Sequence, residues 1–207
     1  MGKIDAATKA YMENSAHFAD AFNYLIYNGE PVIQPSELTP LDTTELVIPY
    51  GNGVSEPEQK FRDVLKLWYA MRDEKAVYAV LGAENQAYVH YAMPVRCFLY
   101  DGLNYAGQVE QVKIGCRTGE SSGNRISGAE FLSGFRKEDR LLPVITLVIY
   151  FGTSEWDGPT SLHEMLCTGD ETLLRMVPDY RLNLIAPSRM EEADFLKFQT
   201  DLGKVLE

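Results

Sequence analysis

Two apolar runs, at about residues 62–71 and 76–87, flank the charged tetrad Arg72-Asp73-Glu74-Lys75. No other stretch limits the possible folds so strongly. Runs of this length suit strands, and the tetrad suits a turn, so the segment predicts a β-hairpin. In the second run Tyr78, Val80 and Gly82 precede Glu84 on one face, while Val77, Ala79, Leu81 and Ala83 occupy the other. Apolar residues on both faces predict a central strand covered on both sides. Mirror counting about a turn centred between Asp73 and Glu74 sets the register. It places Asp63 opposite Glu84, with Cβ atoms roughly 5 Å apart. Glu84 and Gln86 share a face, and Asn85 points away.

Like charges opposed across a ladder are destabilising. A cation between them removes the penalty, and two hard carboxylates with open coordination positions suit Mg²⁺ or Mn²⁺. The competing reading of Asp63 and Glu84 is an exposed pair at a strand end, with Gln86 a solvated neighbour.

Charge bears on the partner. The 207-residue chain has a net charge of −11, which argues against a protein that coats nucleic acid non-specifically. The charge is uneven. Residues 60–140 hold 12 of the 19 Lys and Arg side chains, and both flanking segments are strongly acidic. A phosphate-facing surface is therefore expected near Asp63 and Glu84. The three cysteines, Cys97, Cys116 and Cys167, are odd in number and form no Cys-x-x-Cys pair, so neither a disulfide framework nor a zinc site is expected. They read as small buried apolar residues. His17, His90 and His163 show no ligand spacing. The longest apolar runs, such as Val144 to Phe151, are too short to span a bilayer. The polar N-terminal stretch has no apolar signal core, which predicts a cytoplasmic location.

Along the chain, residues 5–27 predict a helix that Asn28-Gly29 stops. Pro31 to Pro40 reads as a connector, and Leu46-Val47-Ile48 as a strand ended by Pro49 and Gly51-Asn52-Gly53. After the hairpin, Met93-Pro94-Val95 opens a helix to about Val112, weakened by Gly102 and Gly107. Residues 115–128, rich in glycine and serine, predict a mobile loop. Pro143 to Phe151 reads as a buried parallel strand. Leu162–Leu166 predicts a short helix, Tyr180–Ala186 a strand, and Met190–Leu206 an amphipathic helix. The expectation is one α/β domain over residues 1–207. Its core runs α-β-β-β-α-β around a mixed sheet, with a C-terminal strand and helix as an extension.

Several residues in this order resemble a known family. Asp63 is followed by a hairpin and Glu84-x-Gln86, then by a helix carrying Met93-Pro94-Val95-Arg96 and Tyr100. Next come Leu142-Pro143-Val144-Ile145, Tyr150-x-Gly152 and Trp156. The set is similar to the PD-(D/E)xK nuclease family transposases, the YhgA-like or recombination-promoting nuclease group, over roughly residues 16–200. The resemblance implies a restriction-endonuclease-like fold and Mg²⁺-dependent DNA cleavage linked to recombination or transposition. It departs from the motif's name in two places. Arg62 stands where the name has proline, and Gln86 stands where the general motif has lysine. The second change removes a positive charge, and the glutamine orients water by hydrogen bonding alone.

On this reading Asp63 and Glu84 hold the metal, the Asn85 carbonyl adds a ligand, and Gln86 positions the attacking water. Asp20, on the first helix, is a supporting acid in such folds; otherwise it is a surface acid. Arg96 and Tyr100 lie one helical turn apart. Arg96 either contacts phosphate or pairs with a carboxylate of the site. Trp156 reads as a packing residue. DNA is the expected partner, and a paired double-strand cut implies a homodimer. The alternative is a catalytically weak protein of the same fold that acts through protein–protein contacts in a mobile-element or defence system.

Overall fold

The computed structural model describes residues 3–47, 58–72, 75–118 and 127–207. Among them the strands are β1 (Leu38–Pro40), β2 (Thr44–Val47), β3 (Glu58–Phe61), β4 (Val64–Arg72), β5 (Lys75–Gln86), β6 (Val144–Tyr150) and β7 (Asn183–Ile185). The helices are α1 (Lys3–Glu13), α2 (Ser15–Tyr27), α3 (Met93–Thr118), α4 (Gly128–Ser133), α5 (Glu171–Leu174), α6 (Glu192–Phe195) and α7 (Leu202–Leu206). The architecture is α/β. A mixed sheet of order β1-β4-β5-β6-β7 is antiparallel through β5 and parallel beyond it. The chain reaches β6 through the crossover helix α3, as a parallel connection requires. Strands β2 and β3 form a separate antiparallel pair.

The hairpin register agrees with the sequence. Arg72 pairs with Lys75 and Val64 with Ala83. The turn residues Asp73 and Glu74 lie outside the described residues. Alternation along β5 divides the core in two. Ala79, Leu81 and Ala83 face α2, where Phe18 and Phe22 are fully buried. The opposite face carries Gly82, Glu84 and, on β6, Val148 and Tyr150, under Met93 and Cys97 of α3. Lys66 fastens the first face to the helices. Its Nζ donates to the Glu13 carbonyl at 2.7 Å and to Ser15 Oγ at 2.9 Å, where α1 gives way to α2.

Several elements differ from expectation. The first helix is two helices, because the Asn14 side chain caps α2 by accepting from Ala16 N at 2.9 Å. Its predicted stop holds: Asn28 and Gly29 both have positive φ. One edge strand of the sheet is Leu38–Pro40, inside the predicted connector. The strand predicted at Leu46–Ile48 belongs instead to the small β2–β3 pair; Ile48, Pro49 and Gly51-Asn52-Gly53 lie outside the described residues. Helix α3 runs on to Thr118, since a buried inner face that includes Met93, Cys97 and Tyr100 outweighs Gly102 and Gly107. The loop predicted at 115–128 is thus shortened from both ends, and residues 119–126 lie outside the described residues. Over 162–166 only a single 3-10 turn forms, at His163–Met165. The final helix is broken into α6 and α7, with Leu196 exposed between them. Cys97 is buried as expected, whereas Cys167 is exposed.

Candidate active site

The candidate residues gather where β4 and β5 leave the hairpin. Asp63 stands one step before Val64, and Val64 pairs with Ala83, so the next position across the ladder is Glu84. The Asp63 side chain takes over where ladder pairing stops: its Oδ2 accepts from Asn85 N at 2.7 Å. That bond fixes Asp63 beside the Glu84-x-Gln86 segment. Asp63 also borders a cavity of about 450 Å³, shared with Lys9, Glu13, Asp42 and Lys66.

Glu84 is 0% exposed. Its carboxylate oxygens accept no hydrogen bond of strict geometry among the described residues, although the Asp63 backbone N–H lies close enough to lower the Glu84 pKa. Its counter-ion is Arg96, in the first turn of α3, whose Nη2 lies 2.9 Å from Glu84 Oε2. Burial raises the Glu84 pKa to about 8. Arg96 pulls it down, and the Asp63 carboxylate pushes it up again. Gln86 is half-buried on the same face of β5 as Glu84, and its carbonyl accepts from Phe151 N at 2.8 Å.

Arg96 Nε donates to Tyr100 Oη at 3.2 Å. The Tyr100 ring carries two guanidinium groups, with Arg96 Cζ 5.5 Å and Arg62 Cζ 5.2 Å from its centroid. Arg62 is 1% exposed. It donates to Thr146 Oγ1 at 2.6 Å and to Asp101 Oδ1 at 3.0 Å. Asp101 also accepts from Thr146 Oγ1 and from Tyr180 Oη, each at 2.6 Å. This buried cluster ties the start of β4 to α3, β6 and the approach to β7. Gly82 makes room for it, since a Cβ there would collide with Arg62 Nη1. Sequence reasoning missed Arg62, Asp101, Thr146 and Tyr180 as a unit. The available signal was Gly82, because a glycine inside an apolar strand marks the close approach of another group.

Asp63, Glu84, Gln86, Arg96 and Tyr100 are therefore brought together, and Asp20 is not. Helix α2 covers the other side of the sheet. Asp20 there accepts from Gln199 N at 2.9 Å, Thr200 N at 2.8 Å and Thr200 Oγ1 at 2.6 Å. It anchors the C-terminal segment. Trp156 packs as expected, 1% exposed and edge-on to Tyr150 at 5.4 Å.

Among the described residues no three His, Cys, Asp or Glu side chains are grouped to hold a metal ion. The donor set still fits a hard divalent cation. Glu84 presents two buried oxygens, of which Oε2 lies 2.9 Å from Arg96 Nη2, and the Asp63 carboxylate belongs to the next position across the ladder. Mg²⁺ is commonly bound by one or two carboxylates and keeps water in its other positions. Comparison of the chain with protein-family models, with curated proteins and with solved structures finds no match.

Proposed function

We propose that this chain is a divalent-cation-dependent nuclease that hydrolyses DNA phosphodiesters, a member of the recombination-promoting group its sequence resembles. The observation that carries the reading is the hairpin register, which brings Asp63 level with Glu84 and sets Gln86 on the same face. The succession α2, β1, β4, β5, α3, β6 supports a restriction-endonuclease-like core.

Asp63 and Glu84 would hold Mg²⁺ or Mn²⁺, which supplies an acidified water and neutralises charge at the phosphate. Asp63 is held for this role by the Asn85 N–H. Glu84 is held on the floor of the site by its place in the β5–β6 ladder, where it pairs with Val148. Gln86, half-buried at the strand's end, orients water through its amide without adding charge. Arg96, in contact with Glu84, and Tyr100, which accepts from Arg96 Nε, complete the site. The acidic body keeps non-specific attraction to DNA weak. A cytoplasmic location and a homodimer for paired cuts belong to the same proposal; no helix among the described residues is long and apolar enough to cross a membrane.

A second reading is a protein of this fold that acts through protein contacts without cleavage. The observation favouring it is the Arg96–Glu84 ion pair, which already neutralises one of the two carboxylates. Plasmid nicking in Mg²⁺ or Mn²⁺ separates the two readings. The nuclease reading expects Asp63→Ala and Glu84→Ala each to reduce nicking by about a thousandfold, the several kcal/mol a bound cation contributes. Equal nicking by wild type and both variants would remove it.

A further inference from the structure

We propose that the substrate strand reaches the site unpaired: Tyr88 and Tyr91 form a platform on which bases of single-stranded DNA stack beside the cleavage centre. The inference rests on the nuclease reading above and deepens it by naming the substrate class.

Strand β5 ends at Gln86 and α3 begins at Met93. The backbone between them, residues 87–92, is anchored on its inner side. Val89 packs on the cluster that holds Tyr150 and Trp156. It sits so close to Gly158 that a Cβ on that glycine would lie 2.8 Å from Val89 Cγ1. The His90 carbonyl closes the turn into α3 by accepting from Met93 N at 3.0 Å. On this anchored backbone Tyr88 is 77% and Tyr91 61% exposed. The Tyr91 hydroxyl donates to the Asp157 carboxylate, 3.0 Å from each oxygen, so the outer end of the ring is held as well. The hydrogen bond to Asp157, and then that carboxylate's charge, raise the Tyr91 pKa and keep the ring neutral. Tyrosine gives a large, rigid contact face at a low cost in conformational entropy. A ring already held in place loses still less when a base is laid on it.

Position selects nucleic acid as the occupant. Tyr88 follows Gln86 by two residues, so their Cα atoms are at most about 7 Å apart. A strand that crosses Asp63 and Glu84 passes beside the Tyr88 ring. Charge selects the unpaired form. Asp157, which holds Tyr91, and Glu155 are both exposed acids, and the whole chain has a net charge of −11. A duplex carries a phosphate charge about every 1.7 Å and keeps its base faces closed. It would meet repulsion there and gain nothing from the rings. A single strand can turn its phosphates away and offer a base face to each ring, and such stacking tolerates any sequence.

The test is fluorescence anisotropy in Ca²⁺ with a fluorescein-labelled oligonucleotide, presented as a single strand and as the duplex of the same sequence. The proteins are wild type, Tyr88→Ala, Tyr91→Ala, Tyr88→Phe and Tyr91→Phe, with near-ultraviolet circular dichroism to confirm folding. The wild type is expected to bind the single strand at least about tenfold more tightly than the duplex. Each alanine variant is expected to weaken single-strand binding by about tenfold and to leave duplex binding unchanged. The phenylalanine variants keep the ring face and retain wild-type affinity. Single-strand binding that is absent, weaker than duplex binding or unchanged in the alanine variants overturns the platform, and so does an equal loss in the phenylalanine variants. Plasmid nicking that depends on Asp63 and Glu84 then leaves the nuclease reading standing. If the wild type binds neither form of DNA and does not nick, both fall.

Discussion

At the residue scale, Glu84 combines full burial, an arginine neighbour and a pKa of about 8, and these give it a distinct pH signature. Unfolded, its carboxyl titrates near 4.5; folded, near 8. Between those values the unfolded chain binds fewer protons, so Glu84 makes the metal-free protein less stable as pH rises across that window. Glu84→Gln is expected to flatten this slope, which urea unfolding at pH 5, 6.5 and 8 measures. Metal affinity has the opposite trend. The carboxylate must lose its proton to bind, so Mn²⁺ affinity rises with pH up to about 8 and levels off above it. Arg62 gives a second expectation. Removing it strands the buried Asp101 carboxylate, and Arg62→Leu should lose about 3–5 kcal/mol in denaturant unfolding. The Asp63–Glu84 register was legible because a two-residue tip between Arg72 and Lys75 allows mirror counting. Arg62 was not, because its side chain joins the α3 face just before β4 starts, where alternation does not apply.

At the scale of elements, the strands that cross the core were readable and the helices at its edges less so. β5 and β6 are mostly apolar on both faces, with Glu84, Asn85 and Thr146 as the buried polar exceptions, and that pattern is readable without context. β1 is three residues long and contains Pro40, so its place in the sheet depends on pairing with β4 and leaves little trace in its own sequence. The C-terminal segment shows the same principle. Its apolar spacing suits one helix, yet Asp20 accepts two backbone N–H groups between α6 and α7, and a buried carboxylate needs those donors more than the helix does. Asp20→Ala is therefore expected to cost about 3 kcal/mol of stability and to leave Mn²⁺ affinity unchanged. Loss of metal binding in a folded Asp20 variant would return that residue to the site. Gly82→Ala tests the packing of β5 against Arg62, with an expected loss of about 1–3 kcal/mol from the forced shift.

At the scale of the whole molecule, a chain of net charge −11 that acts on DNA needs a local source of positive charge. Arg96 and the bound cation would provide it together. Oligonucleotide binding should then be weak without divalent ions and appear when they are added, with a shallow dependence on salt because few phosphates are contacted. Anisotropy titrations at two salt concentrations measure that slope; a steep slope independent of divalent ions would mean a basic surface elsewhere carries the binding. The central claim is that one divalent cation is held jointly by Asp63 and Glu84. Calorimetric titration of Mn²⁺ into the metal-free protein tests it most directly. The account predicts about one ion taken up by the wild type and uptake abolished in both Asp63→Ala and Glu84→Ala; equal uptake by the wild type and the two variants would contradict it.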